Sequence, residues 1–374
     1  MKRWFVASAV LASFTGTASA QSSVTLYGLL SEGIGWVSNE GGSANVKMLG
    51  GTNQNNRLGF KIAEDLGSGV LAVAQLENGF DITSGKFQQG GRMFGRQAFV
   101  GLSDRSLGTV TFGRQYDMFW DYIAPFAAPS AASGLAANPG DADNLMGSWR
   151  YSNSVKYTSP TFGGVNAEAL YAFSNTPGEF AINRAFSAGA GYQSGGLKLG
   201  AAYVELDSPG IVHPAGAVTD DYLGAPFELF HTSPLNSNVG VRRQRNYGAA
   251  GSYDFDHGVK LSMLVDQIHF SYLDGTSLRL TNYGMSLGWF LTPSLMLGSS
   301  YTYTQGKYGG LQADPHWNTA MLSLDYFLSK RTDLYLFDVV QRVSGPYAVA
   351  DIFLNAPSTS RVQNLLLAGI RHRF

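Results

Sequence analysis

The sequence predicts an all-β fold, a 16-stranded antiparallel transmembrane β-barrel with an inward-folded third loop. Three observations carry that expectation. Segments of about ten residues with period-two hydrophobicity recur along the chain. The connections between them alternate between short and long. Only 14% of residues are charged, against roughly 25% in ordinary soluble domains, and past the N-terminus no apolar run is long enough for a spanning helix. A chain neither polar enough for a soluble surface nor apolar enough for helices suits strands with one lipid-facing side.

The first twenty residues stand apart. Lys2 and Arg3 form a basic start, Trp4 to Phe14 is largely apolar, and Ala18-Ser-Ala20 reads as a cleavage signal before Gln21. That is the pattern of a secretory leader, and its apolar run is too short to span a membrane. Residues 1–20 are therefore expected to be a signal peptide, and 21–374 an exported barrel domain. Removing Lys2 and Arg3 from the 26 basic residues leaves 24 against 27 acidic ones, a formal charge of −3. Such balance argues against nucleic acid as a partner, which calls for a basic domain. The chain has no cysteine, and a closed barrel needs no disulfide because it leaves no sheet edge open.

Strands are expected at 24–37, 57–64, 70–80, 94–103, 107–115, 150–159, 164–174 and 185–194. Eight more follow at 197–207, 246–255, 259–270, 281–291, 295–304, 317–327, 332–342 and 362–374. Between them, short turns such as Ser194-Gly-Gly196, Asp254-Phe-Asp-His-Gly258 and Leu291-Thr-Pro-Ser294 carry the residues that tight turns require. Eight longer polar loops alternate with these turns, the largest being 116–149 and 208–245. Within 259–266, Val259, Leu261, Met263 and Val265 share one face, while Lys260, Ser262 and Asp266 share the other with Leu264. Trp36, Trp289, Phe290 and Phe327 lie near strand ends, where aromatic girdles sit at membrane interfaces.

The stretch 116–149 organises the rest. Its 34 residues show no usable period, and a structureless loop of that length is improbable unless it has a task. At about 3.3 Å per extended residue it could leave a sheet, cross a lumen and return. It holds Asp117, Asp121, Asp141 and Asp143 but neither lysine nor arginine, while the flanking segments supply Arg57, Arg92, Arg96, Arg114 and Arg150. The expectation is an acidic loop facing a row of arginines across a narrow pore. Arg150 shares its face with Ser152, Ser154 and Lys156. An arginine turned to mid-membrane lipid would cost about 2–4 kcal/mol, so that face belongs to the lumen. Two unit charges about 7 Å apart repel by roughly 2 kcal/mol at an effective dielectric of 20, a cost that a charged constriction justifies and stability does not. The plainer alternatives are arginines paired singly with local carboxylates, and loop aspartates acting as turn and cap residues.

Several blocks then carry a family likeness. They are Val24-Thr-Leu-Tyr-Gly28, Arg57-Leu-Gly-Phe-Lys-Ile-Ala-Glu-Asp-Leu-Gly67, Gly95-Arg-Gln-Ala-Phe-Val-Gly-Leu102 and Gly113-Arg-Gln115. Asn153-Ser-Val-Lys-Tyr157, Leu328-Ser-Lys-Arg-Thr-Asp333 and Gly369-Ile-Arg-His-Arg-Phe374 complete the set. In this order they resemble the general porins of Gram-negative outer membranes, especially the β-proteobacterial branch. The resemblance implies a homotrimer in the cell outer membrane, whose third loop bends inward against a basic wall. That wall maps to Arg57, Arg96 and Arg150, with Arg114 and Arg92 beside them. The acidic side maps to the loop, which lacks the Pro-Glu-Phe-Gly-Gly tip of the enterobacterial branch. The terminal Phe374 looks like the signal read by the barrel assembly machinery. Expected partners are outer-membrane lipid, lipopolysaccharide, and small hydrophilic solutes and ions that diffuse passively. With more arginines than carboxylates firmly assigned, mild anion preference is expected.

Enzyme signatures are missing from the sequence. His213, His231, His257, His269, His316 and His372 are scattered singly, and no metalloprotease or P-loop motif occurs. No metal or other cofactor is expected. A substrate-specific channel, a structural or adhesive barrel, and a barrel hydrolase remain the competing classes.

Overall fold

The structure, a computed structural model, describes residues 22–128, 130, 135–211, 213, 215–218, 222 and 228–374. The expected leader and its cleavage point before Gln21 lie outside the described residues. The first half of the wall comprises β1 (Ser23–Glu40), β2 (Ser43–Met48), β3 (Arg57–Gly67), β4 (Val70–Gly79), β5 (Gln97–Asp104), β6 (Gly108–Gln115), β7 (Tyr151–Thr158) and β8 (Val165–Ala172). The second half comprises β9 (Arg184–Ser194), β10 (Leu197–Asp207), β11 (Val241–Phe255), β12 (Val259–Tyr272), β13 (Ser277–Thr292), β14 (Leu295–Gly309), β15 (His316–Phe327), β16 (Thr332–Ser344) and β17 (Val362–Arg373). A short helix, α1 (Met118–Tyr122), lies between β6 and β7.

From β3 onward each strand pairs antiparallel with the next, and β17 returns to β1 through Leu29↔Arg373 to Val37↔Leu365. On its other side β1 pairs with two strands in succession. Ser23–Leu29 faces Ala63–Arg57 of β3, and Ile34–Val37 faces Met48–Asn45 of β2. Thus β2 and β3 are two pieces of one stave, and the closed barrel has sixteen staves. Closure leaves no unpaired edge, the condition for β structure in lipid. The last residue takes part, because Gly28 and Phe374 exchange backbone hydrogen bonds of 3.0 and 3.1 Å.

All sixteen expected strands occur, with two corrections. The segment β2 was hidden in an expected loop. It is only six residues long and continues β1 through a turn at Gly41 and Gly42, both at positive φ. The chain then leaves the stave over 49–56 and re-enters at Arg57. Several strands also outrun their alternation, since hydrogen-bonded pairing continues above the lipid-facing band where polarity no longer alternates. One expected long loop consequently shrinks to the turn 273–276, with Gly275 at φ +86.

The two faces of the wall differ as the pattern requires. Along β12, Met263 and Val265 are 54% and 44% exposed, whereas Ser262, Asp266 and Leu264 are buried. Trp36 and Trp289 are exposed on the same outer side, whereas Phe290 and Phe327 fall on the inward parity of β13 and β15, their ring centroids 5.8 Å apart near the barrel rim. An apolar face turned outward and a polar face turned inward match strands that cross lipid.

Candidate functional site

The segment joining β6 to β7 is built from both ends. Asp117 caps α1, its Oδ1 accepting the Trp120 N–H at 3.0 Å. The apolar residues that follow, Met118, Phe119, Tyr122 and Ile123, are buried in one cluster with Leu170, Ala185, Val204 and Leu264 of the wall. Wall glycines make room for them. A Cβ at Gly189 would sit 2.6 Å from the Tyr122 ring, one at Gly248 2.8 Å from the Phe119 ring, and one at Gly200 would collide with the Tyr122 carbonyl oxygen. Polar bonds fix the register, with the Met118 N–H donating to Ser187 Oγ at 3.0 Å and Asn166 donating to the Tyr122 hydroxyl at 2.8 Å.

The returning arm is pinned by its aspartates. Asp141 accepts from the Met146 N–H at 2.9 Å and from the Ser148 hydroxyl at 2.6 Å. Asp143 accepts from Asn138 and, at 3.2 Å, from Asn282 of β13, while Gln244 of β11 donates to the Ala142 carbonyl at 2.9 Å. Asn144 joins the two arms, donating to Asp117 Oδ2 and to the Trp149 carbonyl, each at 3.1 Å.

These contacts give three of the loop acids the cap and turn roles that the sequence held open as the plainer alternative. Asp117, Asp141 and Asp143 are fully buried, and burial raises all three carboxyl pKa values, with Asp143 adding to the rise at Asp141. They serve as cap and turn residues because a short acceptor beside backbone N–H groups satisfies the loop locally. Asp121 is the partly exposed one, and it pairs with Lys156 of β7, which also reaches Glu168 at 2.9 Å.

Three of the five arginines come together. The Arg96 stem lies against Gly79, where a Cβ would be 3.0 Å from Arg96 Cδ, and Gly79 pairs directly with Arg57. The guanidiniums of Arg96 and Arg150 lie 5.9 and 4.8 Å over the ring of Tyr116, whose hydroxyl accepts from Arg150 Nη2 at 2.6 Å. Arg114 differs. A bulge between Gly113 and Gln115 re-aims it, and it donates to the Gly95 and Arg150 carbonyls and to Ser152 Oγ. Arg92 is held within its own connection, donating to the Gln89 carbonyl at 2.6 Å. Arg96 was expected inside a strand, but β5 starts one residue later, so its connection rather than its parity aims it.

Sequence reasoning missed Glu77, Tyr116 and Trp120. Glu77 is buried, accepts from Arg96 Nε at 2.6 Å and from the Tyr27 hydroxyl at 2.8 Å, and is the carboxylate inside the basic cluster. Its signal was present, because Gln75 and Glu77 alternate with Ala74 and Leu76. Tyr116, just before the Asp117 cap, stacks at 4.4 Å on Trp120 in the first turn of α1, an arrangement with no period to read in the sequence. A cavity of about 410 Å³ separates this wall from the loop.

Known proteins resemble this chain from end to end. A family model described as Gram-negative porin matches residues 7–342. An outer membrane porin protein of Bordetella pertussis is 30% identical, with the alignment covering all of both chains. Outer membrane porin protein 32 of Delftia acidovorans is 29% identical over 90% of this chain and 88% of its own. Among solved structures, an anion-selective porin from Comamonas acidovorans superimposes with a TM-score of 0.74 at 24% identity, over 95% of this chain and all of that one, a likeness of fold. Sixteen closed staves, a polar interior and matches that leave no large part of the chain unaccounted for make this protein an outer-membrane channel of the Gram-negative porin family.

Proposed function

We propose that this porin passes ions and small hydrophilic solutes by passive diffusion and favours anions, with 116–149 as its inward-folded constriction loop. The observation that carries the reading is the charge balance of the cluster. Arg57, Arg96 and Arg150 gather around Tyr116 with one buried carboxylate, Glu77, while Asp117, Asp141 and Asp143 are enclosed in hydrogen bonds. Charges lining a water-filled passage set which ions enter it. Arg114 and Arg92 act as supports of the rim, and Asp121 as the partner of Lys156. The protein works as a homotrimer without catalysis, metal or cofactor. Residues 1–20 are removed on export, the apolar exterior meets lipid and lipopolysaccharide, and Phe374 is presented to the assembly machinery.

The test is a planar bilayer holding the mature protein across a salt gradient. The expected result is ohmic steps in threes and a reversal potential on the anion side. Replacing Arg57, Arg96 and Arg150 with glutamine moves that potential toward cations. An unchanged potential in the triple variant would falsify the assignment of selectivity to these arginines.

A further inference from the structure

The two sides of the 410 Å³ cavity have different chemistry. The barrel side presents Arg57 and Asn55, and the loop side presents Trp120, Pro125, Leu145 and Met146. None of the described lining residues is a carboxylate. Across from the arginine stands an apolar surface.

The cations of the cluster are unequally engaged. Arg96 gives its Nε to Glu77 at 2.6 Å with both Nη atoms buried, and Arg150 donates to Tyr116 and the Ser148 carbonyl, so neither borders the cavity. Arg57 lines the cavity, and its buried Nε has no hydrogen-bond partner among the described residues. Trp120 is held in place by its stack on Tyr116 at an interplanar angle of 15°. A fixed indole and an available guanidinium thus border one space, whose volume lies in the usual range of small-molecule sites, about 300–1,000 Å³.

A small hydrated anion gains from the guanidinium alone, since it has no surface to place on Trp120 or Met146. A carboxylate with an apolar body gains twice. Its oxygens suit the planar donor fork of arginine, and its ring or branched chain covers the loop face with the geometry that aromatic pairs favour. We propose that this channel holds organic monocarboxylates with an aromatic or branched apolar body, with the carboxylate on Arg57 and the body on Trp120, Leu145 and Met146. The proposal rests on 116–149 forming the constriction of a conducting pore and names the solute class that the constriction retains. Retention must be weak, because a permeating solute has to leave as well as enter.

The experiment is a bilayer recording of the full protein in potassium chloride. Benzoate is titrated against acetate, which has the charge without the ring, and benzamide, which has the ring without the charge. Benzoate is expected to give a saturable drop in chloride current, and the other two a far weaker one. Trp120→Ala and Arg57→Gln each raise the half-blocking benzoate concentration about tenfold, relative to each variant's own chloride conductance. Met146→Glu, at a partly exposed position, removes the block by placing a carboxylate on the loop. Equal block by benzoate and acetate, or a block unchanged in Trp120→Ala and Met146→Glu, overturns the proposal while leaving the porin reading intact. Absence of chloride current from folded trimers overturns both.

Discussion

Arg150 and Tyr116 close the 116–149 segment on itself. The Arg150 guanidinium donates to the Tyr116 hydroxyl at 2.6 Å and lies 4.8 Å over the ring of that same residue. The two positions stand where β6 ends and β7 begins, so one contact fixes both the mouth of the loop and the aim of a guanidinium. Tyr116→Phe keeps the ring and removes the acceptor. It is expected to cost about 1.5–3 kcal/mol, as for a hydrogen bond to a charged group, read as a lower denaturant midpoint for the folded protein in detergent. Arg150→Lys is expected to be no milder, since an ammonium cannot both stack and donate in a plane.

Glu77 is the carboxylate paired with the arginine cluster. It lies buried against Arg96, with a Tyr27 hydrogen bond completing its environment. Glu77→Gln keeps an acceptor and removes the charge. The expected outcome is a reversal potential further toward anions, with a loss of stability on the order of 1–3 kcal/mol from the broken charge-assisted bond. A shift toward cations would show that Glu77 does not act on the conducting path.

Gly200 carries the backbone of α1. A Cβ there would collide with the Tyr122 carbonyl oxygen, and neither β10 nor the helix backbone can yield cheaply. Gly200→Val is expected to push α1 off the wall, lower the single-channel conductance and cost roughly 1–3 kcal/mol, as overpacking does. Unaltered conductance in a folded variant would mean that α1 does not border the conducting path.

Asp351, in the connection before β17, supplies a pH dependence. It is 3% exposed, neither carboxylate oxygen has a hydrogen-bond partner among the described residues, and burial with Glu40 nearby pushes its pKa up to about 7. The folded value lies above the ordinary 3.8, so the fold favours the protonated acid. Its contribution is full below about pH 4 and is lost as pH rises to about 7, a change on the order of a few kcal/mol. Asp351→Asn is expected to flatten this slope, measured as thermal midpoints of wild type and variant at about pH 5 and about pH 8. Parallel slopes in the two proteins would remove Asp351 as the cause.

Alternation and turn chemistry made the barrel legible in the sequence. Val259, Leu261, Met263 and Val265 declare an outward face, and Gly195-Gly196 or Leu291-Thr-Pro-Ser294 declare a reversal, because both depend only on neighbours in the chain. The two-piece stave of β2 and β3 was not legible. Its six-residue first half is too short to show a period, and what makes it wall is its pairing with β1. The arginine trio was legible as inward charge, since lipid excludes it. Glu77 could have been found by the same parity, but a carboxylate on a polar face does not announce its partner.

What the sequence by itself determined is therefore the set of residues on each side of the sheet, since a strand's period of two needs no knowledge of the rest of the molecule. The tertiary structure alone decided which inward residues meet. Only strand pairing across Gly59 brings Tyr27 to Glu77, 50 positions away, and only the fold of the loop against β13 brings Asp143 to Asn282, 139 away. Only the packing of Met118 and Phe119 into a wall opened by glycines buries Asp117, Asp141 and Asp143 and turns Trp120, Leu145 and Met146 toward the cavity. Side-chain polarity is local information, whereas burial and pairing are properties of the closed surface, so four acids that look like a charged rim in the sequence become three structural acceptors and one ion pair.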